Sequence, residues 1–148
     1  MTTIEQHATE REAAVAEVLA AHASMTLATA GTDGPWAGGV YFAELDPFTL
    51  VLVLERSGRT LAAIRQNPAV AVVLRDASPM RPFLQGKATA QIVEGDDERE
   101  VRERLLAKVP ECEPFLQAPV AAVRLAVTGW RITDFARNWF PGKDVSPR

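Results

Sequence analysis

Ser24-Met25-Thr26-Leu27-Ala28-Thr29-Ala30 runs into Gly31-Thr32-Asp33-Gly34, and Pro35-Trp36 then opens a second run that reaches Leu45. In the first run Met25, Leu27 and Thr29 alternate with Thr26, Ala28 and Ala30. A period of two residues predicts a strand. Gly31 to Gly34 predicts a turn, and the Val, Tyr and Phe residues of the second run suit another strand. Asp46-Pro47 ends that run, and Thr49 to Leu54 forms a third. Three strands on short turns predict an antiparallel meander, because parallel neighbours need a crossover of about a dozen residues or more.

Before this stretch, Ile4, Ala8, Val15, Val18 and Leu19 are spaced among Glu, Arg and Gln as on an amphipathic helix from Thr3 to Ala23. After it, Ser57 is placed to cap a short helix that carries Leu61 and Ile64 on one face and stops at Asn67-Pro68. Ala69 to Leu74 has the β-branched content of a buried strand, Asp76 to Pro82 is a proline-rich loop, and Phe83 to Val93 is a long strand carrying Gly86. Asp96 is placed to cap a charged helix that runs through Val109, with Val101, Leu105, Leu106 and Val109 facing inward. Pro110 to Pro119 turns the chain, and Val120 to Phe135 is one long strand or two, interrupted near Thr128-Gly129. The expected fold is mainly β: a small antiparallel barrel of six to seven strands with peripheral helices. It forms a single domain over 1–148, with a helix over 1–23, the barrel over 24–135 and an irregular tail over 136–148.

Composition narrows the function. The chain has 148 residues, one Cys, two His and a net charge of -3. A chain of this length buries enough surface to hold a core without disulfides or metal. One Cys forms no internal disulfide, and two His with one Cys make a poor inventory for a zinc or iron site. The negative balance argues against nucleic acid as partner. No run reaches the roughly 18–20 apolar residues of a membrane span. The amino terminus lacks the basic start and apolar stretch of a secretory signal, so the expected location is cytoplasmic.

Catalytic motifs are missing. No serine sits in a Gly-x-Ser-x-Gly elbow. Cys112 lies between Glu111 and Glu113, where a thiolate is disfavoured. His7 and His22 read as solvent-facing residues of the first helix, and the acids Asp96, Asp97, Glu98 and Glu100 as complements to a helix dipole. Two stretches are more informative. Glu55 to Thr60 joins a buried strand to a helix start, with a glycine, two hydroxyls and two guanidinium groups. It reads either as a phosphate cradle or as a capped helix with two surface arginines. Gly38-Gly39 lies in mid-strand between Trp36 and Tyr41, where paired glycines mark a bulge or the close approach of a backbone or a flat ligand. Gln85, Lys87, Thr89 and Gln91 alternate onto one polar face of their strand.

The chain resembles the pyridoxamine 5'-phosphate oxidase-like proteins, the flavin-binding split barrels. The resemblance runs from the first helix through Phe135. It rests on Met25 to Thr29 with Asp33-Gly34-Pro35-Trp36, on Leu50 to Leu54 running into Ser57-Gly58-Arg59-Thr60, on Ile64 to Val72, and on Gln85-Gly86-Lys87-Ala88. It implies a homodimeric oxidoreductase-like protein with two flavin mononucleotide (FMN) sites at the interface, each built from both chains. By the same resemblance, Trp36, Gly38, Gly39 and Val40 lie beside the flavin ring, and Ser57, Arg59 and Thr60 hold the phosphate. Arg81 or Gln85 supplies a polar group, and Trp130 and Arg131 come from the partner chain. No catalytic acid or base is implied. The Arg-x-His that the oxidases carry near their end is missing, so the implied activity is not pyridoxamine phosphate oxidation itself. Haem-using relatives rely on a carboxy-terminal histidine, and this chain has none beyond His22. A deazaflavin coenzyme in a reductase, or storage of flavin or haem without catalysis, are the alternatives.

Overall fold

The computed structural model describes residues 2–148. The alternating run forms β1 (Ser24–Gly31), paired antiparallel to β2 (Gly34–Tyr41) from Ser24 opposite Tyr41 to Gly31 opposite Gly34. Only Thr32 and Asp33 lie between them, and Gly34 supplies the positive φ of 93° that the tight reversal requires. Met25, Leu27 and Thr29 are buried, as the alternation demands.

The meander ends there. The second run breaks at Phe42 into β2 and β3 (Ala43–Asp46). β3 pairs with β4 (Thr49–Glu55), and β4 pairs not with β2 but with the distant β7 (Val120–Asp134). With β5 (Ala69–Leu74) and β6 (Phe83–Val93) the sheet order is β2-β1-β5-β6-β7-β4-β3. The sheet's two edge strands are therefore consecutive in the chain and separated by one residue. Two residues span at most about 7 Å, so the edges must lie side by side and the sheet must curl into a barrel left open along that seam. Phe42 is fully buried at the seam, where truncation to Ala would cost about 3–5 kcal/mol.

Eight strands form rather than six or seven, because the expected irregular tail contains β8 (Trp139–Val145), paired to the far half of β7. The strand forms there because β7 outruns β4, leaving Trp130 to Asp134 an open edge to pair. The suspected interruption near Thr128 is a bulge: Lys87 faces Gly129 and Ala88 faces Val127, so Thr128 is the extra residue in an otherwise continuous strand.

Inside the barrel, Leu27, Leu50, Leu52, Val72, Leu84, Val123, Leu125 and Trp130 pack with Val15, Val18 and Leu19 of α1 (Thr3–Ala21) and with Leu61 and Ile64 of α2 (Arg59–Gln66). Thr2 and Glu5 form a reciprocal capping box at the start of α1, and Ile4 stays exposed, outside the expected stripe. A second core lies outside the barrel, where Val51, Val93 and Ala122 meet Val101, Leu105 and Val109 on α3 (Asp96–Lys108) and its end. Leu106 is exposed, one position off that stripe, and Gly95 rather than Asp96 occupies the cap. A 3-10 turn (Pro110–Cys112) and α4 (Glu113–Gln117) lead back to β7. The helix α3 covers the outer face of only the β4 side. The outer face of β2, β1, β5 and the first half of β6 has no helix over it.

Candidate functional site

A groove of about 510 Å³ opens beside the seam, a size typical of small-molecule sites. One wall is β2, which contributes Trp36, Gly39, Val40 and Tyr41. The floor is the end of β4, Val53 to Glu55, and the start of α2, Gly58 to Leu61. The far wall is Leu105, Cys112 and Phe115, with Tyr41 meeting the Phe115 ring edge-on at 5.7 Å.

The glycines of β2 have open space around them. A Cβ added at Gly38 or Gly39 meets nothing within 4 Å, and neither residue has a positive φ. Neither packing within the chain nor backbone conformation requires glycine there. The contrast is Gly86, where a Cβ would lie 2.5 Å from Cζ3 of Trp130. Adjacent strand residues face opposite ways, so Gly39 aims outward with Thr26 while Gly38 shares the row of buried Leu27. Only Gly39 lines the groove.

At the floor, the chain leaves β4 and turns through Arg56 and Ser57, with the Gly58 N–H donating to the Glu55 carbonyl at 3.0 Å. Ser57 is not the helix cap. Gly58 holds that position, and no side chain among the described residues accepts the first N–H groups of α2. The turn is tight, since a Cβ on Gly58 would lie 3.1 Å from the Glu55 carbonyl oxygen and the turn would have to give by a few tenths of an ångström. The unanswered N–H groups carry the partial positive charge of a helix start. Arg59 and Glu55 are the charged side chains lining the groove. The Arg59 guanidinium carbon sits 4.0 Å above the centroid of the Trp36 ring. Cys112 is buried, and desolvation first, with the neighbouring Glu111 carboxylate adding to it, pushes its thiol pKa up. The thiol is thus protonated at neutral pH and not poised as a nucleophile.

Of the residues implied by resemblance, Trp36, Gly39, Val40, Arg59 and Thr60 meet in this groove, with Gly38 adjoining on the same strand. Ser57 is exposed in the turn and does not line it. Arg81 lies in the exposed loop before β6. Gln85 and Arg131 are register partners on β6 and β7, outside the groove, with Arg131 held by Asp144 at 2.9 Å. Trp130 corrects the expectation outright. It is 2% exposed, opposite Gly86, and its Nε1–H donates to the Pro47 carbonyl at 2.6 Å. A side chain so placed has no surface to offer a ligand or a second chain. Sequence reading missed Tyr41, Cys112 and Phe115 as groove walls; Cys112 and Phe115 are brought there by the packing of α3 and α4, which no local pattern signals. Among the described residues, no group of three or more His, Cys, Asp or Glu side chains is placed to hold a metal ion. No helix among them is long and apolar enough to cross a membrane.

A mainly antiparallel eight-stranded barrel, open at one seam and with a groove beside it, is a split barrel. The family model described as pyridoxamine 5'-phosphate oxidase matches residues 12–134, and the chain belongs to that family. No curated protein matches it in sequence. Solved structures share the fold. A heme binding protein from Mycobacterium smegmatis has a TM-score of 0.73 and 19% identity over 89% of this chain, which spans 57% of that protein's chain. A NimC/NimA family protein from Clostridium acetobutylicum has 0.68 and 20% identity, covering 92% of this chain and 93% of that one. A FAD-binding protein from Mesorhizobium loti has 0.66 and 18% identity, covering 79% and 87%.

Proposed function

We propose that the chain binds FMN in the groove beside β2 and works as a homodimeric flavoprotein. The observation that carries this reading is the open space at Gly39 beside an uncapped helix start bearing Arg59. Glycine in mid-strand destabilises a sheet, and here nothing inside the chain offsets that. A flat ring resting on the strand does, because a ring at van der Waals distance leaves no room for a Cβ. A phosphate monoester suits the other end, where Arg59 and the first N–H groups of α2 supply charge-assisted donors. Bound flavin would supply hydride-accepting chemistry, while the chain's own part is to seat the ring and anchor the phosphate.

A second copy completes the site in this reading. The register sets Gly39, Thr26, Val73, Gln85 and Arg131 in one row across the outer face, and Ala37, Ala28, Ala71, Lys87 and Gly129 in the next. These side chains are mostly small and the face carries no helix, so another sheet can approach closely. A two-fold partner on this face would carry its Gln85 and Arg131 toward the groove. The deazaflavin alternative is less favoured, since Glu55 in the groove and Glu111 beside it oppose a polyanionic tail.

The test is titration of purified protein with FMN, deazaflavin coenzyme and haem, followed by the visible spectrum and by sedimentation. The expected result is an FMN complex that sediments as a dimer, weakened roughly 10- to 150-fold by Arg59→Ala, the worth of a charge-assisted hydrogen bond. A protein that ignores FMN, or an Arg59→Ala variant of unchanged affinity, overturns it.

A further inference from the structure

The aromatic face nearest the start of α2 is already covered. Trp36 is 40% exposed, and what lies over it is the guanidinium of Arg59, 4.0 Å from the ring centroid. Arg59 is itself exposed and forms no ion pair with any of the described residues, although Glu55 lies in the same groove. It is also the first residue of α2, next to N–H groups that no side chain caps. One cation thus stands between a ring face and an anion-binding helix start, held by neither a carboxylate nor burial.

We propose that Arg59 determines specificity by making the Trp36 face conditional on an anion. Without ligand the guanidinium occupies the ring face. A phosphate monoester at the start of α2 draws it away, and the planar part of the same ligand then takes the uncovered surface. An exposed cation–π contact is weak, whereas a guanidinium-phosphate pair is bidentate and charge-assisted, so the transfer runs downhill. A dephosphorylated planar ligand must expel Arg59 from Trp36 with nothing to receive it. The groove therefore rejects such a ligand by more than the missing phosphate contacts alone. This inference rests on the flavin reading of the groove, and it deepens that reading by making the two ends of the site interdependent. Linkage makes the coupling reciprocal: phosphate and ring each tighten the other by the same factor.

The experiment uses the full chain carrying Trp139→Phe, which leaves Trp36 and the buried Trp130 as fluorophores. Inorganic phosphate is added and quenching by acrylamide is followed; riboflavin and FMN are titrated with and without phosphate. The expected result is greater quenching of Trp36 with phosphate and riboflavin binding tightened roughly two- to five-fold, the worth of the displaced contact. Arg59→Gln should abolish both phosphate effects, weaken FMN, and bind riboflavin roughly two- to five-fold more tightly than the parent. Riboflavin bound equally or less tightly by Arg59→Gln overturns the proposal. FMN binding with no phosphate response at Trp36 also overturns it and leaves the flavin reading standing. A phosphate response without flavin binding overturns the flavin reading and this proposal with it.

Discussion

Replacing Gly39 by Ala separates what the fold needs from what the groove needs. A Cβ at this position meets nothing within 4 Å, and the backbone φ is not positive, so the folded chain accepts the methyl without strain. The unfolded chain loses freedom at the same time, and stability should rise by about 0.4–1 kcal/mol. Gly86→Ala is the opposite case. Its Cβ would lie 2.5 Å and 2.6 Å from two carbons of the buried Trp130 ring and 3.1 Å from Cγ2 of Val72. The ring is buried and tethered to the Pro47 carbonyl, and overpacking of this kind costs about 1–3 kcal/mol. The two substitutions should therefore differ by about 1.4–4 kcal/mol in urea unfolding without ligand. Ligand titration should reverse their order. A methyl on Gly39 intrudes where the flavin ring would lie, and an intrusion of about 1–3 kcal/mol weakens FMN roughly 5- to 150-fold. The conclusion that Gly39 is kept for an external group is refuted if Gly39→Ala unfolds more easily than the parent, or binds FMN equally well. Gly38→Ala, in the same row as Trp36, should likewise spare stability.

Trp130→Phe removes the only side-chain donor to the Pro47 carbonyl among the described hydrogen bonds, and thermal or urea unfolding should show a loss of about 1–3 kcal/mol. Asp134 is 1% exposed and accepts from the Ala136 N–H at 3.0 Å and from Arg137. Asp134→Ala removes both contacts and leaves the guanidinium, 35% exposed, to Glu17 at 3.3 Å; it should cost about 1–3 kcal/mol by urea unfolding, and an unchanged stability would refute the assignment. The raised Cys112 pKa means that the native state keeps its thiol proton to higher pH than the unfolded chain does. Its contribution to stability is thus full below the unfolded thiol pKa and declines as pH rises above about 9. Alkylation of native protein at pH 8 should be slower than of urea-unfolded protein, and Glu111→Gln should bring the native thiol pKa down.

Much of the fold was legible in local pattern. The alternation at Met25, Leu27 and Thr29, the Gly31 to Gly34 turn, the strand over Ala69 to Leu74 and the polar face of Gln85 to Gln91 all depend on neighbours two to four residues apart. So does the bulge site near Thr128-Gly129. The meander was not legible, because Val40 to Leu45 has the same β-forming composition on both sides of Phe42 and nothing local marks a change of partner. The irregular tail was misread for a related reason. Trp139 to Val145 is a poor strand by composition, and it forms because half of β7 would otherwise present an open edge.

The candidate site divides in the same way. Trp36, Gly38, Gly39 and Arg59 stand out in sequence because glycines in a strand and a cation at a helix start are locally costly or distinctive. Trp130 stood out too, and wrongly: its character is set by the register that places it opposite Gly86, where absence of a side chain on one strand makes room for an indole on the next. The amino-acid sequence by itself determined which face of β1 and β6 is apolar and where the Gly31 to Gly34 turn falls, since side-chain period and backbone preference are properties of neighbouring residues. Only the tertiary structure decided which strands pair, that the sheet's edges meet across one residue at Phe42, and that Arg59 comes to rest on Trp36. Those are contacts between residues far apart in the chain, and their free energy exists only once the barrel has closed.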